Sequence, residues 1–426
     1  MARCCFFYPK LGMKFNLSSI NQMKHPAMPH RKFAALLVTV IAASFGNTTV
    51  AQTNISTVNC WQTTQTNPAF FPIAVWLQAS TNAPAYRAAG VNTFVGLWEG
   101  PTDAQLDDLH KAGMLVVCAQ NQIALNHPAR SNILAWMHRD EPDNATTWGA
   151  RLGFGKPVPV ETIAAEYQRM KSADASRPVL LGLGQGVAWD NWYGRGTRNR
   201  HPEDYPRYLE ACDIASFDIY PASHTSAEVA GNLWCVPQGI ERLRRWVRDE
   251  KPVWNCIETT CVENPRFKPT SHEVRAEVWM SLIHGSRGII YFAHQFKPTF
   301  IEAGLLADSQ MLFAVTSINL QIRQLAPVLN SPTITNTVSV HSLNPAAPVA
   351  TMIKEYDGYT YIFAAAMRPL DTKVEFRLEG HSGNPSALKV EVIDEYRTVP
   401  MREGKFTDLF GPWAVHLYRV KSGSVR

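Results

Sequence analysis

From Phe70 onward the chain alternates short, continuously apolar runs with stretches whose apolar residues recur at helical spacing. The apolar runs fall at 72–77, 91–98, 114–119, 133–137, 179–184, 214–220, 253–258 and 288–293. Between and after them, 103–112, 160–175, 236–249, 271–284 and 311–325 read as amphipathic helices, the first closed by Gly113. Eight such alternations predict parallel strands buried on both faces and closed into an α/β (β/α)8 TIM barrel. An open doubly wound sheet shares the alternation, but no glycine-rich phosphate loop follows the first run.

The pattern changes after Leu325. Residues 338–340, 350–367, 374–378, 388–393 and 413–420 alternate in strand fashion, and Tyr356-Asp357-Gly358-Tyr359 is a hairpin turn signal. This predicts a small C-terminal antiparallel β-sandwich. The expected organisation is a leader at 1–51, a barrel at 52–328 and the sandwich at 329–426.

In the leader, Lys24, Arg31 and Lys32 precede an apolar run from Phe33 to Phe45, and Thr49-Val50-Ala51 ends the segment. That is the pattern of a secretory signal peptide cut before Gln52, and the run is short for a membrane anchor. The expectation is a secreted or periplasmic protein with no membrane contact in mature form. The leader carries six of the 41 bases and no acid, so the mature chain has 35 bases against 36 acids. A nearly neutral chain has no electrostatic reason to bind nucleic acid. Six cysteines remain (Cys60, Cys118, Cys212, Cys235, Cys256 and Cys261), and their spacing fits no zinc template. Export leaves open a bridge from Cys261 to Cys212 or Cys235.

Two of the runs end on carboxylates. Ile133–Met137 leads into His138-Arg139-Asp140-Glu141-Pro142, and Val253–Glu258 ends on Glu258, 117 residues after Glu141. Barrel active sites lie at the carboxyl ends of the strands. Glycosidic cleavage needs one carboxylic acid for the leaving oxygen and one carboxylate across the anomeric carbon. Strands four and seven lie on nearly opposite sides of an eight-stranded ring, so Glu141 and Glu258 are expected to face each other. The other readings are a capping or Arg139-paired Glu141 and an ion-paired Glu258.

Asp140-Glu141-Pro142 resembles the Asn-Glu-Pro of clan A glycoside hydrolases, and Trp254 to Glu258 resembles their strand-seven nucleophile motif. Phe217-Asp218-Ile219-Tyr220-Pro221 is similar to the strand-six signature of several barrel families, and 285–292 to their strand eight. The resemblance implies a retaining β-glycosidase with Glu141 as acid/base, Glu258 as nucleophile and Tyr220 as the hydroxyl that holds the nucleophile. Asp140 stands where that superfamily usually has Asn, and an aspartate can only accept a hydrogen bond from a sugar.

Asp140, Asp218 and Tyr220 are candidate substrate contacts, with Trp98, Gln120 and His294 at other strand ends; Asn121 and Gln295 join them as candidate hydroxyl partners. Trp189, Trp192 and Phe296 are candidate stacking surfaces, and Glu99 is a third acid able to serve as base in an inverting mechanism. His138, one pleat before the acids, is equally suited to the core. Metal catalysis would want histidines on strand one, which has none, so no metal or cofactor is expected. The expected partner is a carbohydrate substrate. A non-catalytic glycan-binding barrel and an envelope-assembly protein are the rival functions.

Overall fold

The computed structural model describes residues 67–145, 155–379 and 388–422. The expected leader, Cys60 and residues 148–154 of a Gly- and Pro-rich insertion lie outside these. Eight parallel strands pair in sequence order and close on themselves. They are β1 (Ile73–Trp76), β2 (Thr93–Val95), β3 (Leu115–Ala119), β4 (Ile133–Met137), β5 (Val179–Leu183), β6 (Ile214–Phe217), β7 (Val253–Glu258) and β8 (Gly288–Phe292). The barrel read from the sequence is therefore present, and β7 keeps its expected bounds. Strand β2 is shorter than expected because Gly96 takes a φ of +81° and turns the chain out.

The connecting helices are α1 (Ala83–Ala88), α2 (Asp103–Lys111), α3 (Gln122–Asn126), α4 (Val160–Ala173), α5 (Tyr205–Leu209), α6 (Cys235–Trp246) and α7 (Ser271–Ile283). A short α8 (Gly304–Ala307) precedes α9 (Ser309–Asn330). Reciprocal caps start α2 and α7: Thr102 with Gln105, and Thr270 with Glu273. Alternation along the strands sorts the core. Ile73, Val75, Phe94, Leu181, Phe217 and Tyr291 pack outward against the helices. The intervening Trp76, Leu180, Trp254 and Ile290 fill the barrel. Among the described residues no helix is long and apolar enough to cross a membrane.

After α9 come β9 (Thr333–Ile334), β10 (Val338–Ser342), β11 (Val349–Tyr356), β12 (Tyr359–Ala366), β13 (Thr372–Leu378), β14 (Leu388–Val392), β15 (Arg397–Met401), β16 (Lys405–Phe410) and β17 (Val415–Lys421). They form a three-stranded antiparallel sheet, β10-β13-β16, and a six-stranded one, β15-β14-β17-β12-β11-β9. Tyr356 pairs with Tyr359 across the expected hairpin, with Asp357 at φ 51° and Gly358 at φ 75°. Strands β15 and β16 were not expected from the sequence.

One face of the six-stranded sheet packs on the three-stranded sheet, where Phe376 stacks on Phe406 at 4.6 Å. The other face, with Met352, Tyr361, Phe363 and Leu417, joins the barrel's helical core, and Phe363 stacks on Trp279 of α7 at 5.4 Å. Gln321 of α9 ties the layers together by accepting from Arg275 (2.6 Å) and Trp279 (3.1 Å) and donating to Asp394 (2.5 Å). Cys118, Cys212, Cys235, Cys256 and Cys261 are buried free thiols, so Cys261 is not bridged to Cys212 or Cys235.

Candidate active site

The turn after β4 sorts its side chains by direction. His138 points away from the barrel, its Nε2 on the Ala211 carbonyl at 2.8 Å, and burial lowers its pKa. It is a core histidine. Arg139 is exposed and pairs with Glu166 on α4, so its charge is not spent on Glu141. Asp140 and Glu141 turn the other way, into the space left by two glycines of the β5 end. A Cβ on Gly182 would lie 3.9 Å from Asp140 Oδ1, and one on Gly184 would lie 2.9 Å from Glu141 Oε1. Glu141 takes a φ of 40°, a costly value for a residue with a Cβ and one that recurs at functional sites.

Asp143 holds this turn in place. Its Oδ1 accepts the Gly184 N–H at 2.9 Å and its Oδ2 the Tyr205 hydroxyl at 3.0 Å. Asn144 Oδ1 accepts the Trp192 indole N–H at 2.7 Å. The loop carrying Glu141 is thereby fastened to the loop after β5, which fixes the carboxyl relative to the neighbouring strand.

Glu141 meets Asp218, the residue after β6. The two buried carboxyls lie within reach of each other, and two charges there would repel, so the pair favours holding a single proton. Burial, then the charges of Asp218, Asp140 and Asp143, push Glu141 well above the usual carboxylate range. Burial also raises Asp218, to about 6, against the lowering effect of hydrogen bonds from Glu141 and Tyr220. No amide, hydroxyl or cationic donor among the described residues reaches the buried Asp218 Oδ1. The pair can hold one proton with Glu141 as the acid and Asp218 as the carboxylate.

Glu258 occupies a different environment. It is completely buried, and its two oxygens accept the backbone N–H groups of Ala222 (2.6 Å) and Ser223 (2.9 Å). Burial raises its pKa to about 8 even so. Tyr220, expected at Glu258, is hydrogen-bonded to Asp218 and packs on Phe292 at 4.8 Å.

A polar wall continues from Asp218 through residues that sequence reasoning did not single out. His224 donates from Nε2 to Gln185 Oε1 at 2.9 Å, since its Nδ1 accepts the Ser226 N–H. Gln185 donates in turn to Glu263 at 3.1 Å, and Glu263 also accepts from Thr225 at 3.2 Å. The charge of Glu263 raises both Asp218 and Glu258. Asp143, His224 and Glu263 lie in loops and Gln185 in a single 3-10 turn (Gln185–Val187), where no periodicity marks a side chain's direction. Only Asp143, in the Asp140-Glu141-Pro142-Asp143 cluster, carried a local signal.

The remaining candidates divide. Trp98 is 58% exposed and free to stack, with Glu99 beside it, also exposed. Trp189 packs edge-on against His224 at 5.3 Å, Trp192 is buried, and Tyr193 beside them is 53% exposed. His294 lies between Gln78 and the Phe296 and Phe300 rings, and burial lowers its pKa to about 4, so it is neutral. Gln120 donates to the Met170 carbonyl and Asn121 caps α3, so both amides serve packing. Gln295 likewise donates to its own loop, at the Thr299 carbonyl. No group of described residues could hold a metal ion.

No protein-family model and no curated protein sequence matches this chain. Solved structures do match its fold. AmyP, crystallised with maltotriose, aligns with a TM-score of 0.50 and 9% identity over 86% of this chain and 99% of that one. A Bacteroides fragilis protein assigned as an alpha-galactosidase aligns at 0.50 and 9% over 84% and 80%. A second from that organism, assigned as an alpha-galactosidase/melibiase, aligns at 0.51 and 10% over 83% and 79%. The expected likeness to barrel glycoside hydrolases thus holds at the level of fold, across both the barrel and its β-structured appendage.

Proposed function

We propose that the protein is a glycoside hydrolase whose working carboxyl pair is Glu141 and Asp218. The observation that carries this is the meeting of these two buried carboxyls at the carboxyl ends of β4 and β6, with the pKa of Glu141 raised well above the ordinary range and that of Asp218 raised to about 6. A carboxylic acid kept protonated beside a carboxylate is what protonation of a glycosidic oxygen and stabilisation of the anomeric carbon require. The fold likeness to carbohydrate-active proteins supports the reading.

In this scheme Glu141 gives its proton to the leaving oxygen as the C–O bond breaks. Asp218 stands on the other side of the anomeric carbon. The two carboxyls meet directly, so a bound sugar ring has to part them toward the ~5–5.5 Å of a retaining pair. A pair that opens from contact reaches the retaining separation well before the ~6.5–9.5 Å needed to fit a water for inversion. We therefore assign Asp218 as nucleophile, and Glu258 as the anchor of the turn after β6.

We assign Asp140 and the exposed Trp98 and Tyr193 as sugar contacts, Tyr220 as the group that orients Asp218, and His294 as a neutral donor or acceptor at the far wall. A β-linked substrate remains the proposal supported by the Asp140-Glu141-Pro142 resemblance, and export the proposal supported by the leader. The test is release of reducing sugar from α- and β-linked oligosaccharides by the purified chain. Activity abolished in both Glu141→Gln and Asp218→Asn is the expected result. Full activity in either would refute the pair, and saturable sugar binding without turnover would favour a glycan-binding barrel.

A further inference from the structure

A cleft of about 610 Å³ opens at the opposite end of the barrel, where β1, β7 and β8 begin, and is closed on its far side by β9 and β11 of the six-stranded sheet. Its wall carries Lys251, whose ammonium is held by the Leu209 and Cys212 carbonyls, and the three cations Arg244, Arg287 and Lys354. Arg244 is neutralised by Asp249 at 2.7 Å. The other two have no such partner. Lys354 is 1% exposed, and its ammonium gives one of three donor protons to the Ser331 carbonyl. Arg287 gives one of its five N–H groups to the Leu329 carbonyl at 3.1 Å.

These cations repel one another. Burial and then the charge of Arg287 lower Lys354 to about 8, and burial and then Arg244 lower Arg287. The missing counter-charge is not hidden elsewhere in the sequence. All 36 acidic side chains belong to the described residues, because none falls in 1–66, 146–154, 380–387 or 423–426. Glu250 lines the same cleft but forms no ion pair with either cation among the described residues. Bringing Lys354 and Arg287 together in a partly desolvated cleft with no carboxylate paired to either is unfavourable by itself and becomes favourable when an anion enters.

We propose that this cleft is a binding site for a small organic oxyanion, a carboxylate or a phosphate ester, held by Lys354 and Arg287. Its volume suits a metabolite-sized ligand rather than a bare ion, and Phe70, Trp254 and Met352 provide apolar surface for the body of the molecule. The site does not depend on the carboxyl pair at the other end of the barrel, so it stands or falls separately from the hydrolase reading.

The test is the unfolding temperature of the whole chain titrated with citrate, inorganic phosphate or glucose 6-phosphate, with sodium chloride holding ionic strength constant. A saturable rise with citrate assigns the carboxylate, and one with the phosphates assigns the phosphate ester. In either case Arg287→Gln and Lys354→Met are expected to weaken binding at least about tenfold while turnover at the carboxyl pair is unchanged. Arg287 is exposed, so Arg287→Gln decides the matter even if the buried Lys354→Met fails to fold. No saturable rise with any of the three anions up to roughly 10 mM, or an equal rise in Arg287→Gln, would overturn the site.

Discussion

The carboxylate of Glu258 accepts the backbone N–H of Ser223 at 2.9 Å, so the end of β7 grips the turn that follows β6. With Ala222 on the other oxygen at 2.6 Å, Glu258 has both acceptor atoms committed to main chain. Glu258→Gln replaces one oxygen by an amide that meets an N–H donor head-on. It is expected to cost about 2–3 kcal/mol of stability, read from the urea midpoint. The chemistry gives a second readout. Azide is expected to restore turnover of an activated aryl glycoside in Asp218→Ala and not in Glu258→Ala; the reverse result would return the nucleophile to Glu258.

The shared proton sets the pH profile. With the proposed roles, activity requires Asp218 ionised and Glu141 protonated, so kcat/KM is expected to rise as pH passes about 6 and to fall as Glu141 loses its proton at higher pH. Glu141 is raised partly by the charge of Asp218. In Asp218→Asn that charge is gone, and the alkaline limb of the residual, azide-supported activity is expected to move to lower pH. Profiles of the two proteins that superimpose would dissolve the coupling.

Gly182 and Gly184 separate close approach from mere proximity. A methyl on Gly184 would meet Asn144 Nδ2 at 2.8 Å and Glu141 Oε1 at 2.9 Å, whereas one on Gly182 would meet only Asp140 Oδ1 at 3.9 Å. Gly184→Ala is expected to displace the acid and lower kcat by about a hundredfold. Gly182→Ala should leave kcat within a few-fold of the original, measured on the same substrate.

Glu277 on α7 is fully buried, and neither carboxyl oxygen has a hydrogen-bond partner among the described residues. Burial, then the charges of Glu258 and Glu273, raise its pKa well above 4.5. The folded protein therefore keeps a proton that the unfolded chain releases, and this contribution to stability is lost as pH rises from the ordinary glutamate value toward the raised one. Glu277→Gln has no proton to lose. Its stability relative to the parent is expected to grow, by up to ~1.4 kcal/mol per pH unit, as pH rises from the ordinary glutamate value toward the raised one, compared by urea unfolding at about pH 5 and about pH 8. A constant difference across that range would mean that Glu277 is ionised in the fold.

The barrel was legible because each strand is buried on both faces and so reads as an unbroken apolar run; Val253–Glu258 was recovered residue for residue. Strand β15 was not, since Pro400 and the polar Arg397 and Thr398 leave only Val399 and Met401 as an apolar signal. It lies at the edge of its sheet, where a proline is tolerated. Glu141 was visible as an acid at a strand end. Its proposed pairing with Asp218 was not, because the choice between β6 and β7 depends on how far each side chain leans into the mouth. Glu258 was read as a strand-end acid facing Glu141, and the N–H groups of Ala222 and Ser223 in the turn after β6 take both of its oxygens. Gln120 looked like a sugar contact for the same positional reason, and the carbonyl of Met170 on α4 takes its amide instead.

For protein engineering, the stacking of Phe363 on Trp279 has a practical meaning. The barrel's outer shell is finished by a sheet that comes later in the chain, just as the sheet's second face is finished by α7 and α9. A gene cut after Asn330 would produce a barrel with Trp279 and its apolar neighbours in water, a surface that invites aggregation. The barrel is not a portable cassette; a functional fusion or minimal version has to carry the sandwich with it.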